Sequence, residues 1–342
     1  MTPLATLSIA LGRLQQPRAA LSFATKIEDL GFDGVWVANE RFYRDMWVLL
    51  GGIASRTSRV ELGTFVADPL TVHPAITAGA AATLAELSGG RVRLGFSSGM
   101  TGLQEMGIRH PSPLTATRLG IEAIRRLWMG ETVSLDDPVM QMNDLQLAVR
   151  SEAPVPIVLA SQSPKMLRLA GEVADMAMIA TLSLPSTFTT AASWVREGAL
   201  LAGRSFDIAD VVPRIDCSVH VDGDSARRIV QPMVCRLLVS RYPNWWFLTD
   251  AGIDVPAEVE VLARNGRLDE LIRRADELLT REVVDAMSWA GTPDEVAARI
   301  ASFHDLGVRR FVLYPHGTDE LFANSLDLLA NEVLPVLRVP TR

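Results

Sequence analysis

Apolar positions along this chain fall into two alternating kinds of stretch: short continuous runs, and longer amphipathic ones. The pattern is clearest between Arg59 and Met100. Val60–Val66 is an apolar run rich in β-branched residues, which predicts a buried strand, and Ala67-Asp68-Pro69 ends it. Pro74 stands where a helix accepts a proline, in its first turn. Ala75–Leu87 continues with strong helix formers, and Gly89-Gly90 stops it. Arg91–Phe96 is the next strand, and it runs into Ser97-Ser98-Gly99. The whole reads as a strand–helix–strand unit.

The rest of the chain repeats that unit. Ala5–Ala10 predicts a first strand. Pro17–Leu30 is amphipathic, with Ala20, Phe23, Ala24, Ile27 and Leu30 on one face and Gly31 as its cap. Gly34–Ala38 is continuously apolar, as a strand buried on both faces should be, and Met46–Ala54 follows as a helix. Further helices are predicted over 114–128, 163–172, 185–202 and 319–336. Further strands are predicted over Val155–Ala160, Asp175–Ala180, Val211–Val221 and Arg310–Tyr314, while Glu131–Leu147 reads as an irregular excursion. Eight apolar strands alternating with helices predict an α/β chain of the (β/α)8, or TIM, barrel class. A doubly wound open sheet satisfies the same alternation. About ninety residues separate the seventh predicted strand from the eighth, more than one helix needs. Arg241–Met287 within them reads mostly as charged amphipathic helix, with Trp245, Trp246 and Phe247 near its start. An insertion over about 222–288 is therefore expected, covering the barrel mouth or making a subunit contact. The aromatic triplet would roof a site, pack in an interface, or form the insertion's own core.

Composition narrows the class. The 342 residues hold one large barrel or two average domains, and 48% hydrophobic residues suffice for a sizeable core. No apolar run approaches the ~20 residues that span a bilayer. Leu4–Leu11 lacks a preceding basic region, so it reads as a strand and not a signal peptide, and a cytoplasmic protein without a membrane partner is expected. A balance of 33 basic against 40 acidic residues, spread without blocks, argues against a nucleic-acid surface. Cys217 and Cys235 form no Cys-x-x-C pair and are expected as buried thiols. The five histidines make no HExxH-type pair, so no metal site is expected. A dinucleotide G-x-G-x-x-G after the first strand, a P-loop and a G-x-S-x-G elbow are all missing.

In a parallel α/β barrel, ligands bind at the carboxyl ends of the strands. The second such loop carries Asn39, Glu40, Arg41 and Arg44; Glu40 or Arg44 reads as acid, base or anion clamp, or else as part of a surface salt-bridge cluster. The third loop, Thr64-Phe65-Val66-Ala67-Asp68-Pro69, reads as backbone set against a flat ligand or as a plain strand end. His73 caps a helix or meets a ligand. The fourth loop offers Ser97, Ser98 and Gly99. The fifth, Ser161-Gln162-Ser163, stands at a helix N-terminus, suited to a phosphate and equally to simple capping.

Five stretches together resemble the bacterial luciferase-like superfamily of flavin and deazaflavin oxidoreductases, in particular the branch of methylenetetrahydromethanopterin reductase. They are GFDGVWVANERFYRD (31–45), RVELGTFVADPLTVHPAITAGAAATLAELSGGRVRLGFSSG (59–99), IEAIRRLWMGE (121–131), PIVLASQSPKMLRLAGEVADMAMI (156–179) and GTPDEVAARIASFHDLGVRRFVL (291–313). The resemblance implies a single barrel domain over 1–342, coenzyme F420 as cofactor, a small-molecule substrate and commonly a homodimer. It also implies a non-prolyl cis peptide, at Phe65–Val66, in a bulge that backs the isoalloxazine-like ring. By the same carry-over Asn39 and Thr64, Phe65, Val66, Ala67 and Asp68 shape the ring site. Ser97, Ser98 and Gly99 flank the ring, and Ser161, Gln162 and Ser163 hold the phosphate end.

The chain also departs from the family pattern. Ser163 replaces a frequent glycine, Met100 stands where many deazaflavin enzymes have an acid, and Ala10-Leu11-Gly12 lacks an acid at the end of strand one. Glu40 stands where sugar-phosphate dehydrogenases of the superfamily carry histidine, which leaves Glu40 as the candidate catalytic acid or base. Three readings follow: an F420-dependent hydride-transfer enzyme, an FMN-dependent monooxygenase fed reduced flavin, and a barrel that has lost catalysis.

Overall fold

The predicted strands are mostly apolar, and each is found inside a sheet. The computed structural model describes residues 5–12, 15–99, 102–108, 112–149 and 154–338; the sequence reading at Met100 lies outside them. The elements are, in order, β1 (Thr6–Leu11), α1 (Pro17–Asp29), β2 (Gly34–Ala38), α2 (Met46–Ala54), β3 (Glu61–Phe65), α3 (Pro74–Ser88), β4 (Val92–Phe96) and α4 (Pro113–Trp128). Then come β5 (Val133–Asp137), β6 (Met140–Leu145), β7 (Ile157–Ser161), α5 (Pro164–Val173), β8 (Met176–Ala180), α6 (Pro185–Leu201) and β9 (Val211–Val219). The chain continues through α7 (Gly223–Arg241), α8 (Trp246–Asp250), α9 (Ala257–Arg264), α10 (Leu268–Arg273), α11 (Ala275–Leu278) and α12 (Arg281–Met287). It ends with β10 (Trp289–Gly291), α13 (Pro293–Asp305), β11 (Arg310–Pro315), α14 (Asp319–Leu328) and α15 (Leu334–Arg338).

The strand order β10-β9-β11-β1-β2-β3-β4-β7-β8, with β9 also paired to β8, is that of a (β/α)8 barrel. The open doubly wound alternative would leave two unpaired edges. Contacts divide the chain into two units, one over Ser8–Met178 and Ala192–Val211, the other over Met1–Leu7, Ile179–Ala191 and Val212–Arg342. In the first unit, β1 to β4 and β7 pair in parallel with continuous register, from Ser8↔Gly34 to Phe96↔Leu159. Ile9, Val35, Leu62, Leu94 and Ile157 are fully buried along these strands. In the second unit β9 pairs with β11 (Val312↔Arg214 to Pro315↔Cys217) and with β10 (Trp289↔Cys217). Trp289, Phe303 and Phe311 pack there ring against ring.

Two expectations change. The excursion over 131–147 is a two-stranded antiparallel hairpin, β5 with β6, in which Val133, Met140 and Met142 turn inward. The region 241–287 is mostly helix, as expected, in five short helices parted at Gly252, Gly266, Arg274 and Thr280. β10 is an extra strand, and the terminal helix passes through a π-helical turn at Leu329–Val333. Trp245 and Phe247 are buried in the insertion's own core, with Trp245 Nε1 donating to the Leu238 carbonyl at 3.0 Å. Among the described residues no helix is long and apolar enough to cross a membrane.

Candidate active site

β3 ends in a bulge, and its neighbours hold every part of it. The Phe65–Val66 peptide is cis, at the position the resemblance implies. On the β2 side, Asn39 N donates to the Phe65 carbonyl at 2.7 Å, and Asn39 Nδ2 donates to the Val66 carbonyl at 2.9 Å. On the β4 side, Thr64 Oγ1 and Ala67 N both donate to the Gly95 carbonyl, at 2.8 and 2.9 Å, and Ser97 N donates to Ala67 O at 3.0 Å. Thr64 and Ala67 are buried, while Phe65 and Val66 keep part of their surface open. The closeness of β3 to β4 explains Gly95: a Cβ there would lie 1.9 Å from the Thr64 carbonyl oxygen.

Asp68 turns inward. Its carboxylate accepts from Leu70 N at 3.0 Å, Thr71 N at 2.9 Å and Thr71 Oγ1 at 2.7 Å, and it pairs with Arg41. This buried carboxylate ties the third loop to the second. Gly99 closes the same cluster with φ +58°, where a Cβ would meet Arg41 and Asp68. Asn39, Thr64–Asp68 and Ser97 are therefore gathered into one hydrogen-bonded group, with Gly99 packed against its Arg41 and Asp68. Glu40 is half-buried beside it, its carbonyl accepting from Tyr43 N at 3.3 Å.

Ser161–Ser163 end the adjacent strand, since Phe96 pairs with Leu159. Ser163 stands at the N-cap of α5 without making a side-chain cap bond; Ser161 Oγ instead accepts from Ser163 N at 3.0 Å. The capping reading of Ser163 thus fails at its side chain. The positive end of the α5 dipole, with exposed Lys165 in its first turn, faces no acidic residue of that turn. His73 does cap, its Nδ1 accepting from Ala75 N at 3.2 Å.

Sequence reasoning missed a second polar cluster, in the other unit. Arg214 and Asp216 lie two apart on β9, so they share a face, and they form an ion pair at 2.5 Å. Asp216 Oδ1 lies 2.7 Å from His316 Nε2, and Thr181 Oγ1 lies 3.3 Å from Asp216 and from Arg214. The Arg214 guanidinium sits over the Tyr314 ring at 5.1 Å. Burial alone would raise the Asp216 pKa, but the charge of Arg214 and the bond with His316 outweigh it and hold the group at about 2. Two opposite charges inside an otherwise apolar strand, VVPRIDCSV, were the available signal. Cys217 and Cys235 are buried free thiols, their pKa values pushed up by burial.

Fold and pinned bulge together define a (β/α)8 enzyme of the kind the resemblance implies. The sequence profile of luciferase-like monooxygenases matches residues 4–310, and the chain belongs to that family. It is 35% identical over 293 residues to 5,10-methylenetetrahydromethanopterin reductase of Methanolobus tindarius, covering 85% of this chain and 88% of the relative. It is 30% identical over 349 residues to F420-dependent glucose-6-phosphate dehydrogenase of Beutenbergia cavernae, covering 95% of each. Among solved structures, coenzyme F420 dependent tetrahydromethanopterin reductase from Methanopyrus kandleri superposes with a TM-score of 0.85. That match is 27% identical and covers 97% of this chain and 99% of the other.

Proposed function

We propose that this chain is a coenzyme F420-dependent oxidoreductase that moves a hydride between the deazaflavin and an organic substrate. The observation that carries the reading is the bulge at Phe65–Val66, held from both sides, in a chain whose relatives include F420-dependent enzymes over nearly its full length. When bound, the cofactor supplies the ring that accepts or gives the hydride. The residues present suit it. The partly open surface of Phe65 and Val66 is a firm backing for a flat ring, because Asn39, Thr64, Ala67 and Asp68 leave the backbone behind it no freedom. Ser97, Ser98 and Gly99 would flank that ring. Ser161, Gln162 and Ser163 would take the phosphate end, where the dipole of α5 and the charge of Lys165 favour an anion. Glu40 is assigned the proton: half-buried at the end of β2, it would hold or pass one at the substrate. A homodimer in solution is part of the same reading.

Titration of the purified chain with coenzyme F420 and, separately, with FMN tests this, read by intrinsic fluorescence of buried Trp36 and its fellows. Micromolar binding of the deazaflavin with weak FMN binding is expected. Tight FMN binding alone would move the assignment to a flavin monooxygenase, and binding of neither would leave a non-catalytic barrel.

A further inference from the structure

The cluster on β9 is one charge short of balance. Arg241, the last residue of α7, is the third ionic member: its charge interacts with those of Asp216 and Arg214. Unlike every other member it has no partner. Nη1 of Arg241 is buried and makes no hydrogen bond, and no ion pair of this side chain occurs among the described residues. Arg214 already shares its charge with Asp216 and its Nη1 with Thr181. Two guanidinium ions therefore face one carboxylate, which His316 also engages. A guanidinium nitrogen buried without an acceptor is costly, and proteins avoid it unless something else supplies the acceptor. The cluster is not sealed: Arg241, Tyr314 and His316 each keep part of their surface in solvent.

We propose that Arg241, backed by Arg214, receives a single oxyanion, a carboxylate or phosphate group. A guanidinium offers two parallel N–H donors, the geometry that both groups accept. Asp216 serves a second purpose in this arrangement. By taking up the charge of Arg214 it keeps the site at one net positive charge, which suits a ligand with one anionic group.

The test uses the full chain at constant ionic strength, with chloride replaced stepwise by inorganic phosphate or by acetate, following melting temperature and tryptophan fluorescence. One or both anions should stabilise the wild-type chain in a saturable way, because a ligand that binds only the folded state raises the melting temperature. Response to phosphate alone assigns a phosphoryl group, and response to acetate alone a carboxylate. Arg241→Met should raise the anion dissociation constant at least tenfold. Arg228→Met, on the same helix with its side chain 53% exposed, should leave it unchanged. Should Arg241→Met not fold, Arg241→Lys keeps the charge without the planar fork and should still weaken binding. Equal responses of wild type and Arg241→Met, or no response to either anion, would overturn the site. Loss of F420 binding in Arg241→Met with the fold intact would assign the anion to the cofactor. An anion response without F420 binding would instead leave the site standing and remove the function.

Discussion

Single atoms decide how firmly the bulge is held. At Gly95 an added Cβ would lie 1.9 Å from the Thr64 carbonyl oxygen, and that oxygen belongs to backbone with nowhere to go. Gly95→Ala must therefore push β3 and β4 apart at the very residue whose carbonyl anchors Thr64 and Ala67. A cost of about 1–3 kcal/mol or more is expected, the range for forcing atoms into a close-packed interior. Weaker deazaflavin binding should accompany it. Gly51 makes the opposite case. It lies inside α2, where a Cβ meets nothing within 4 Å. Gly51→Ala should gain about 0.4–1 kcal/mol, because alanine restricts the unfolded chain and favours the helix. Urea unfolding of the two variants beside wild type checks both signs. A neutral Gly95→Ala would mean that the strands do not touch as described.

Elements were readable in the sequence where their own residues define them, and unreadable where a partner does. The Val35-Trp36-Val37 run of β2 and the Pro74-to-Gly89 span of α3 carry their own start, stop and period, so their bounds fall within a residue or two of expectation. β10 is three residues long and exists only through its pairing with β9, which no local pattern announces. In β5 and β6 the alternation is present, but acidic residues mask it. The bulge was placed through the family resemblance, whereas by pattern alone Thr64–Pro69 was an ordinary strand end. The charges of β9 are visible in VVPRIDCSV, but their meeting with Thr181 and His316 depends on residues distant in the sequence.

The insertion repeats the lesson. Arg227 of α7 joins Asp285 of α12 at 3.3 Å and Glu295 of α13 at 2.6 Å, while Arg281 reaches Glu295 at 2.9 Å and Arg299 reaches Asp285 at 3.1 Å. Arg227 is 7% exposed, so its loss leaves shielded carboxylates with less positive charge. Arg227→Met should cost about 2–3 kcal/mol, somewhat under the usual penalty for breaking a buried pair because Arg281 and Arg299 remain. Arg228→Met, at the exposed neighbour, should change stability by less than about 0.5 kcal/mol. Equal effects from the two would show that the network adds nothing to its members.

At the scale of the molecule, carboxylates held in their charged form set the response to acid. Three stand in different parts of the chain. Glu28 accepts from the backbone N–H groups of Ser58, Arg59 and Val60, which outweigh its burial and lower its pKa. Glu295 is lowered despite burial by Thr292 N and by Arg227. Asp216, fully buried, is held at about 2 by Arg214 and His316 against the larger pull of desolvation. In the unfolded chain such groups protonate near pH 4. Their folded pKa values are depressed, so their contribution is complete above about pH 5. It is lost as pH falls, because the unfolded state then binds protons that the folded state refuses. For Asp216 the loss spans about pH 4 to 2 and amounts to something on the order of 2 kcal/mol. Asp216→Asn cannot titrate, so its stability should fall less steeply over that range. The gap between wild type and variant, widest above pH 5, should narrow steadily toward pH 2 in urea unfolding measured at half-unit steps. Were the two curves to stay parallel, the Arg214–Asp216–His316 cluster would not hold its carboxylate in the charged form, and the single net positive charge assigned to Arg241 and Arg214 would go with it.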